Sequence, residues 1–312
     1  MIDPHIVSVA RPATIFVNPS SGGGRAISYI DGVRKIFAEC GIPVAFSQTN
    51  SAEEMGTALR TAITQGCKLL IGMGGDGTLQ EVANAAFGQD VVLGILPLGG
   101  GNDFATAIGL PKNPIDAARA LLQGEIRPVD ILRARNADGR ERLYLGGGGF
   151  GLDSEAMKYA NGAFRKWPGR LRYIAAAVRA FLHSNPVKMH ATFPGSDLPD
   201  IHMSVLLAAA MNISTYGAGL CLAPEAVVDD GWLDIVFLQD LSALEVLRLL
   251  PRLLATGELR TARISRVQAK SVRFTAQGPY LFQAEGELLG PLPVEIELQP
   301  KALRLLVPSL HR

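Results

Sequence analysis

The densest chemistry in the sequence lies in one turn, where Gly74, Gly75, Asp76, Gly77 and Thr78 follow the strand-like run Lys68–Gly72 and precede the helix-like run Leu79–Ala86. Glycines in such a place let the backbone turn sharply and come close to a phosphate, and the free N–H groups of a helix start favour an anion. Asp76 would repel a bare phosphate. An acid inside the turn therefore makes most sense beside a magnesium ion or a hydrogen-bonding hydroxyl. Thr78 can cap the helix or hold a phosphate oxygen, and Glu81, three residues on, completes a capping box. Without a ligand the same residues read as a capped glycine turn, and Asp76 is what tilts the balance.

A second loop follows the apolar run Val91–Leu96, where Pro97, Gly99, Gly100 and Gly101 lead into Asn102, Asp103 and Phe104. Asn102 or Asp103 could simply cap a helix over Phe104–Ile108. A third loop, Asn18, Pro19, Ser20, Ser21 and Gly22–Gly24, ends the first strand, Thr14–Asn18. It is not a Walker A loop, because GxxxxGK[ST] is absent, and Arg25 beside it reads as a solvated charge. No HRD/DFG set and no dinucleotide GxGxxG occurs in its proper context. Glycine loops at neighbouring strand ends, two of them carrying an Asp, favour a nucleotide site.

These loops need a sheet to hold them. Strand-like and helix-like runs alternate through the first 130 or so residues, and strands such as LLIG and VVLGILP are apolar throughout. That pattern predicts a parallel sheet with helices on both faces and ligands at the carboxyl ends of its strands. After about Asp130 the texture changes to short runs separated by turn residues, which predicts an antiparallel β domain interrupted by helices over Leu171–His183 and Leu244–Ala255. With 312 residues two domains are expected. A cleft between them is a common place for a ligand.

Composition narrows the partners. The formal charge of +1 and a charged fraction of 19% argue against nucleic acid. Cys40, Cys67 and Cys221 have no CxxC spacing, which indicates neither a zinc site nor a disulfide framework and fits a reducing cytoplasm. Met1–Val17 lacks the form of a signal peptide, and its apolar residues read as a strand. The histidines, His5, His183, His190, His202 and His311, are scattered and show no metal or triad spacing. No apolar run reaches the roughly 18 residues a membrane span needs.

Taken together, NPSSG at Asn18–Gly22, GGDGTLQEV at Gly74–Val82 and PLGGGNDFA at Pro97–Ala105 resemble the diacylglycerol kinase catalytic domain family, which includes bacterial soluble lipid kinases and sphingosine kinases. The resemblance continues through GFGLD at Gly149–Asp153, YGAGLCLAPEAVVDDGWLD at Tyr216–Asp234 and EGE at Glu285–Glu287. It implies an α/β + β fold: an N-terminal three-layer α/β nucleotide-binding domain, like that of NAD kinase and phosphofructokinase, and a C-terminal antiparallel β-sandwich. The corresponding domains are residues 1–132 for ATP and 133–302 for the lipid substrate, with a terminal strand over about 303–312 returning to the first. It further implies an ATP- and Mg2+-dependent lipid kinase acting on a lipid hydroxyl such as that of diacylglycerol.

By the same resemblance the nucleotide contacts are Asn18, Pro19, Ser20, Ser21, Gly22, Thr49, Gly74, Gly75, Asp76, Gly77, Thr78, Gly99, Gly100, Gly101, Asn102 and Asp103, with Glu81 beside them. A structural magnesium ion falls to Asp230 by side chain, with Val227 and Trp232 as carbonyl donors, unless Asp230–Gly231 is only a hairpin turn. Asp76, Glu285 and Glu287 form the catalytic set. The chain departs from the family at Gly100, where Thr is usual and one hydroxyl contact to the nucleotide is lost, and at Glu285, where Asp is usual and the extra methylene alters the geometry a general base requires.

The segment Ala156–Leu182 carries Lys158, Arg165, Lys166, Arg170, Arg172 and Arg179 among Phe164, Trp167, Tyr173 and Phe181. It reads either as a helical face resting on an anionic membrane or as an ordinary amphipathic helix. A cytoplasmic protein with peripheral membrane association is expected, and a homodimer is compatible with the sequence. Two other readings stand beside the lipid kinase: a soluble-substrate kinase such as an NAD kinase, and a nucleotide-binding regulator whose catalysis Gly100 and Glu285 have impaired.

Overall fold

A computed structural model of the chain describes residues 12–167, 169–217 and 219–309. His5, His311 and the start of the expected N-terminal strand lie outside the described residues. The chain divides into two compact units: Met1–Val129 with Lys301–Arg312, and Asp130–Pro300.

The first unit is built on β1 (Ala13–Val17), α1 (Ile30–Glu39), β2 (Val44–Gln48), α2 (Ala52–Thr64), β3 (Leu69–Gly74), α3 (Asp76–Ala86), β4 (Val92–Pro97), α4 (Asp103–Ala107) and α5 (Pro114–Leu122). Its strands run parallel in the order β2-β1-β3-β4. Every residue of β3 and β4 is buried, as a strand covered by helices on both faces must be. α2 starts on Ser51, whose side chain accepts from the Glu54 N–H, and α5 starts on Asn113 with Pro114 in its first turn; both are start signals visible in sequence.

The second unit contains β5 (Glu125–Asn136), whose first residues belong to the first unit, then β6 (Glu141–Tyr144), β7 (Gly147–Gly151), α6 (Leu152–Asn161), α7 (Gly169–His183), β8 (Val187–Thr192), β9 (Ile201–Val205) and β10 (Leu207–Met211). There follow β11 (Thr215–Tyr216), β12 (Leu220–Cys221), β13 (Leu233–Leu238), α8 (Ala243–Thr256), β14 (Ile264–Ala269), β15 (Ser271–Ala276), β16 (Leu281–Ala284), β17 (Glu287–Pro291) and β18 (Val294–Val307). One antiparallel sheet has the order β14-β13-β10-β7-β16-β17, and the strands β18-β15-β8-β9 form the other layer. Phe150, Phe237, Phe274 and Phe282 are fully buried in one core drawn from both layers, with Phe150 and Phe274 edge to face at 5.4 Å. This is a β-sandwich.

Two elements differ from expectation. α6 begins earlier than the helical segment expected from Ala156 onward and is separate from α7; its ten residues follow directly on the glycine strand β7, and Gly151 at φ 88° makes the abrupt change of direction only a glycine tolerates. β18 is one strand of 14 residues, not a short strand followed by a separate terminal one: its first half pairs with β15 and Arg304 and Leu305 pair with Val92 and Leu93 of β4.

Candidate active site

In the first unit the glycine loops meet at the carboxyl ends of β1, β3 and β4. The approach of the first and second loops is close: a Cβ on Gly99 would lie 2.6 Å from the Gly75 Cα, and one on Gly75 would lie 3.1 Å from the Gly99 Cα. Neither position admits a side chain without movement. Asn102 locks the contact. It takes φ 55°, and its amide both accepts from the Gly99 N–H at 2.8 Å and donates to the Gly99 carbonyl at 2.9 Å. Leu98 N–H donates to the Gly74 carbonyl at 2.6 Å, and Asn18 N–H to the Met73 carbonyl at 3.3 Å. The third loop joins them where a Cβ on Gly22 would come within 3.0 Å of Leu98 Cδ2.

Ser21–Gly24, although helical in hydrogen bonding, places Gly22 and Gly23 at φ 63° and 71°, so it is a left-handed glycine turn. Asn18 Oδ1 accepts from the Ser20 N–H and hydroxyl at 3.1 and 2.7 Å. Asp76 opens α3 and accepts from the Phe104 N–H at 3.4 Å. Burial pushes its carboxyl above the ordinary value, against the pull of N–H groups at Phe104, Asp103 and Asn102. Asp76 is thus tied to the α4 start, and α3 and α4 both begin beside the same carboxylate.

Three capping expectations fail here. Gly75, in extended backbone, is the N-cap of α3 and no side chain caps it. Thr78 therefore lies inside the first turn, where a Cβ on Gly74 would collide with its Oγ1, and no capping box with Glu81 forms. Asn102 holds the N-cap position of α4 but makes no side-chain cap bond, because it spends its amide on Gly99.

Thr49, just past β2, is buried, and its Oγ1 has no hydrogen-bond partner. A buried hydroxyl left unpaired costs about 1–3 kcal/mol, so a ligand oxygen at that point fits the residue. A cavity of about 670 Å³ between β2 and α2 touches Thr49 but includes no glycine-loop residue. The loops and Thr49 together suit a nucleotide's phosphates and the group beyond them.

The second unit holds the acidic pair. Glu285 sits in the β16–β17 turn at φ 50°, and its Oε1 accepts from the Gly146 and Gly147 N–H groups at 2.5 and 3.3 Å. Glu287, at the head of β17, is largely exposed and pairs with Arg142 Nη1 at 2.5 Å. Behind Glu285 lies a polar network that the sequence did not reveal. Tyr216 donates its hydroxyl to Asp153 Oδ2 at 2.6 Å, the Gln283 amide donates to the same oxygen, and Gly286 N–H donates to Gln283 Oε1. Burial raises the Asp153 carboxyl to about 7. It also raises the hydroxyls of Tyr144 and Tyr216, with the Glu285 charge adding to both.

Asp230 accepts from the Trp232 N–H at 2.9 Å, the turn-forming role that competes with metal binding. Val227 and Trp232 are 47% and 41% exposed. The carboxylate missed by sequence reading is Asp130. It is fully buried on β5, and its Oδ2 accepts from the Gly231 N–H at 2.9 Å. Asp234 completes the group: burial and the Asp230 charge raise it to about 6, and its Oδ2 is buried without a hydrogen-bond partner. The Asp130 charge acts on Asp230 and the Asp230 charge on Asp234, but among the described residues these three carboxylates do not converge as a three-ligand set.

Among the described residues no helix is long and apolar enough to cross a membrane. The basic segment resolves into α6 and α7, and two of its charges join them: Arg172 donates to the Ala160 carbonyl and the Asn161 side chain, and Arg179 lies over the Tyr159 ring. Lys158 pairs with Glu155 within α6. Phe181 packs into a core cluster. Trp167, Leu171 and Leu182 are left exposed at 50%, 55% and 68%.

A sheet edge of converging glycine loops in one unit and an acidic β-sandwich in the other define a class, and sequence comparison names it. Residues 12–134 match the diacylglycerol kinase catalytic domain, and residues 148–307 match the YegS C-terminal NAD kinase beta sandwich-like domain. The chain belongs to the diacylglycerol kinase catalytic domain family and is a kinase. It is similar to a diacylglycerol kinase of Mycobacterium tuberculosis, 32% identical over 297 residues that cover 95% of this chain and 94% of the relative. It is also 30% identical over 259 residues to a protein of Xanthomonas euvesicatoria pv. vesicatoria named "Probable lipid kinase YegS-like", covering 80% of this chain and 81% of the relative. A diacylglycerol kinase structure from Bacillus anthracis str. Sterne shares the fold, with a TM-score of 0.71, 19% identity and coverage of 95% and 96%.

Proposed function

We propose that the chain transfers the γ-phosphate of ATP to a lipid hydroxyl, with diacylglycerol as the first acceptor to test. The observation that carries the reading is the closure of Gly75 on Gly99 under the Asn102 clamp, with Asp76 beneath it. Backbone N–H groups at such a point bind phosphate oxygens without a side-chain cation. The names of the relatives, a diacylglycerol kinase and a YegS-like lipid kinase, supply the acceptor class.

ATP supplies the phosphoryl group and Mg2+ the charge neutralisation such transfers need. The protein's part is to hold and orient. The glycine loops and Ser20 would cradle phosphate oxygens, Thr49 would contribute its unpaired hydroxyl, and Asp76, fixed by the α4 start, would orient the phosphates and the ion that accompanies them. Glu287 accepts the proton of the lipid hydroxyl, with Arg142 holding its carboxylate in place and Glu285 anchoring the turn that presents it. Asp230 by its side chain, with the Val227 and Trp232 carbonyls, would hold a structural Mg2+.

The experiment is transfer of radiolabelled γ-phosphate to a panel of diacylglycerol, phosphatidylglycerol, a sphingoid base, a prenol and NAD, followed by chromatography of the product. Label on a lipid supports the proposal; label on NAD alone, or on nothing while ATP still binds, overturns it. We further propose that the protein meets its substrate at an anionic membrane surface through Trp167, Leu171 and the neighbouring Arg165 and Lys166. Co-sedimentation with phosphatidylglycerol-containing liposomes should fall to the level of neutral liposomes when Arg165 and Lys166 are changed to Gln, and equal binding by that variant removes the segment from the proposal.

A further inference from the structure

Sequence spacing gave the histidines no metal role, but strand pairing brings two of them together. In the β8–β9 hairpin the register sets His190 directly opposite His202. Their rings stack with centroids 3.9 Å apart and planes within 8°. Asp200, the residue before β9, places Oδ2 3.0 Å from His190 Nε2. One nitrogen from each ring and one Asp200 oxygen all lie within 4.8 Å of one another. Twelve residues separate the histidines in sequence, a distance at which no short metal motif would show them.

We propose that His190, Asp200 and His202 form a binding site for one Zn2+ ion on the outer face of the second unit. Two ligand atoms about 2.1 Å from a tetrahedral zinc stand about 3.4 Å apart. The trio is thus within about 1.5 Å of ligating geometry, a distance that side-chain rotation of partly exposed residues supplies. Two imidazoles and one carboxylate select a borderline transition ion, since Mg2+ and Ca2+ prefer all-oxygen sets. Three protein ligands leave a fourth position for water. β9 is the last strand of its layer, and an ion bridging it to β8 pins an edge otherwise held only by its ladder. This site shares no residue with the glycine loops, the acidic pair or the Asp130, Asp230 and Asp234 group.

The test uses the full chain without any affinity tag, stripped with chelator and dialysed. Titration calorimetry with ZnCl2 should show one saturable equivalent and MgCl2 should give no signal at this site. Co2+ in place of zinc should produce the strong visible bands of a low-coordinate ion. His190→Ala and His202→Ala should each weaken zinc at least about tenfold and abolish the zinc-dependent rise in melting temperature, while kinase turnover stays at the wild-type rate. Asp200→Asn, which keeps both rings, serves if either alanine variant folds poorly and should show the same loss. Absence of saturable zinc binding, or undiminished binding in the His190→Ala/His202→Ala double variant, overturns the proposal.

Discussion

The two units build their candidate sites from different materials. In the first, the contacts that matter are between main-chain atoms: Gly75 against Gly99, Leu98 to Gly74, Asn18 to Met73, with Asn102 as the one side chain that fixes them. In the second, the site is a web of side chains from β6, α6, β11, β16 and β17: Arg142, Asp153, Tyr216, Gln283 and Glu287. A main-chain cradle recognises what every nucleotide has in common, its phosphates. A side-chain web can be retuned residue by residue, which is what an acceptor site that differs between related kinases requires. If the division is real, changes in the first unit will act on nucleotide affinity and changes in the second on turnover and acceptor choice.

The largest expected effect tests the second half of that statement. Glu287→Gln keeps the size and loses the charge, and a general base contributes about 10²- to 10⁴-fold. The rate constant with diacylglycerol should fall by about 10²-fold or more, with the KM for ATP within about twofold of wild type. A variant with unchanged turnover removes Glu287 from catalysis and leaves Glu285 as the carboxylate to test. Arg142→Ala sharpens the assignment, because loss of the partner should lower turnover less than loss of the carboxylate.

The first half is broken or upheld by Gly99→Ala. The added methyl would meet Gly75 Cα at 2.6 Å and Asn102 Oδ1 at 2.7 Å, so the loops must part. Nucleotide affinity should drop about tenfold or more, and overpacking of this kind destabilises by about 1–3 kcal/mol. Gly23→Ala is the contrast, since nothing lies within 4 Å of its would-be Cβ. Its cost is the left-handed backbone alone, about 1 kcal/mol. If both variants bind nucleotide equally, the approach of the loops has no bearing on the ligand.

Much of this division was legible in the sequence. Glycine turns at strand ends are local, and β3 and β4 announce themselves as apolar runs, so the nucleotide half could be read from spacing. Even there, capping went wrong: Thr78 and Glu81 have the letters of a capping box, but Gly75 begins the helix three residues earlier, and Asn102 turns its amide back on Gly99. The second half was legible only where the resemblance reached it. Asp153 and Tyr216 are 63 residues apart, Asp130 meets the Gly231 N–H from 101 residues away, and His190 meets His202 through strand register. No spacing rule covers such pairs, because the sandwich topology brings them together.

The third effect concerns that hidden web. Asp153 keeps its proton to about pH 7 in the folded chain against 3.8 for an ordinary Asp. A carboxyl whose folded pKa is raised favours the native state while protonated, so this contribution is complete below about pH 4 and is lost as pH rises through about 7. Stability should decline by about 1.4 kcal/mol between pH 5 and 8.5 on this account, roughly half the linkage value over that window because Asp153 retains some contact with solvent. Asp153→Asn mimics the protonated form and should flatten that decline in urea titrations across the range. An equal slope in both proteins places the pH dependence elsewhere, with Asp234, raised to about 6, as the group to examine.

The smallest effect decides whether the main-chain cradle reaches past the phosphates to Thr49. Its hydroxyl is buried and unpaired, and threonine and valine have nearly the same shape. Thr49→Val removes the unsatisfied group, so the ligand-free protein should gain about 1 kcal/mol. If that hydroxyl meets ATP, the same variant should bind ATP about fivefold more weakly, the loss of one neutral hydrogen bond of about 1 kcal/mol. The two signs oppose each other: melting without nucleotide rises while the shift produced by nucleotide shrinks. A more stable variant with unchanged ATP affinity would confine the nucleotide to the glycine loops, and the first unit's site would then be main chain with Asn102 and Asp76 as its side-chain supports.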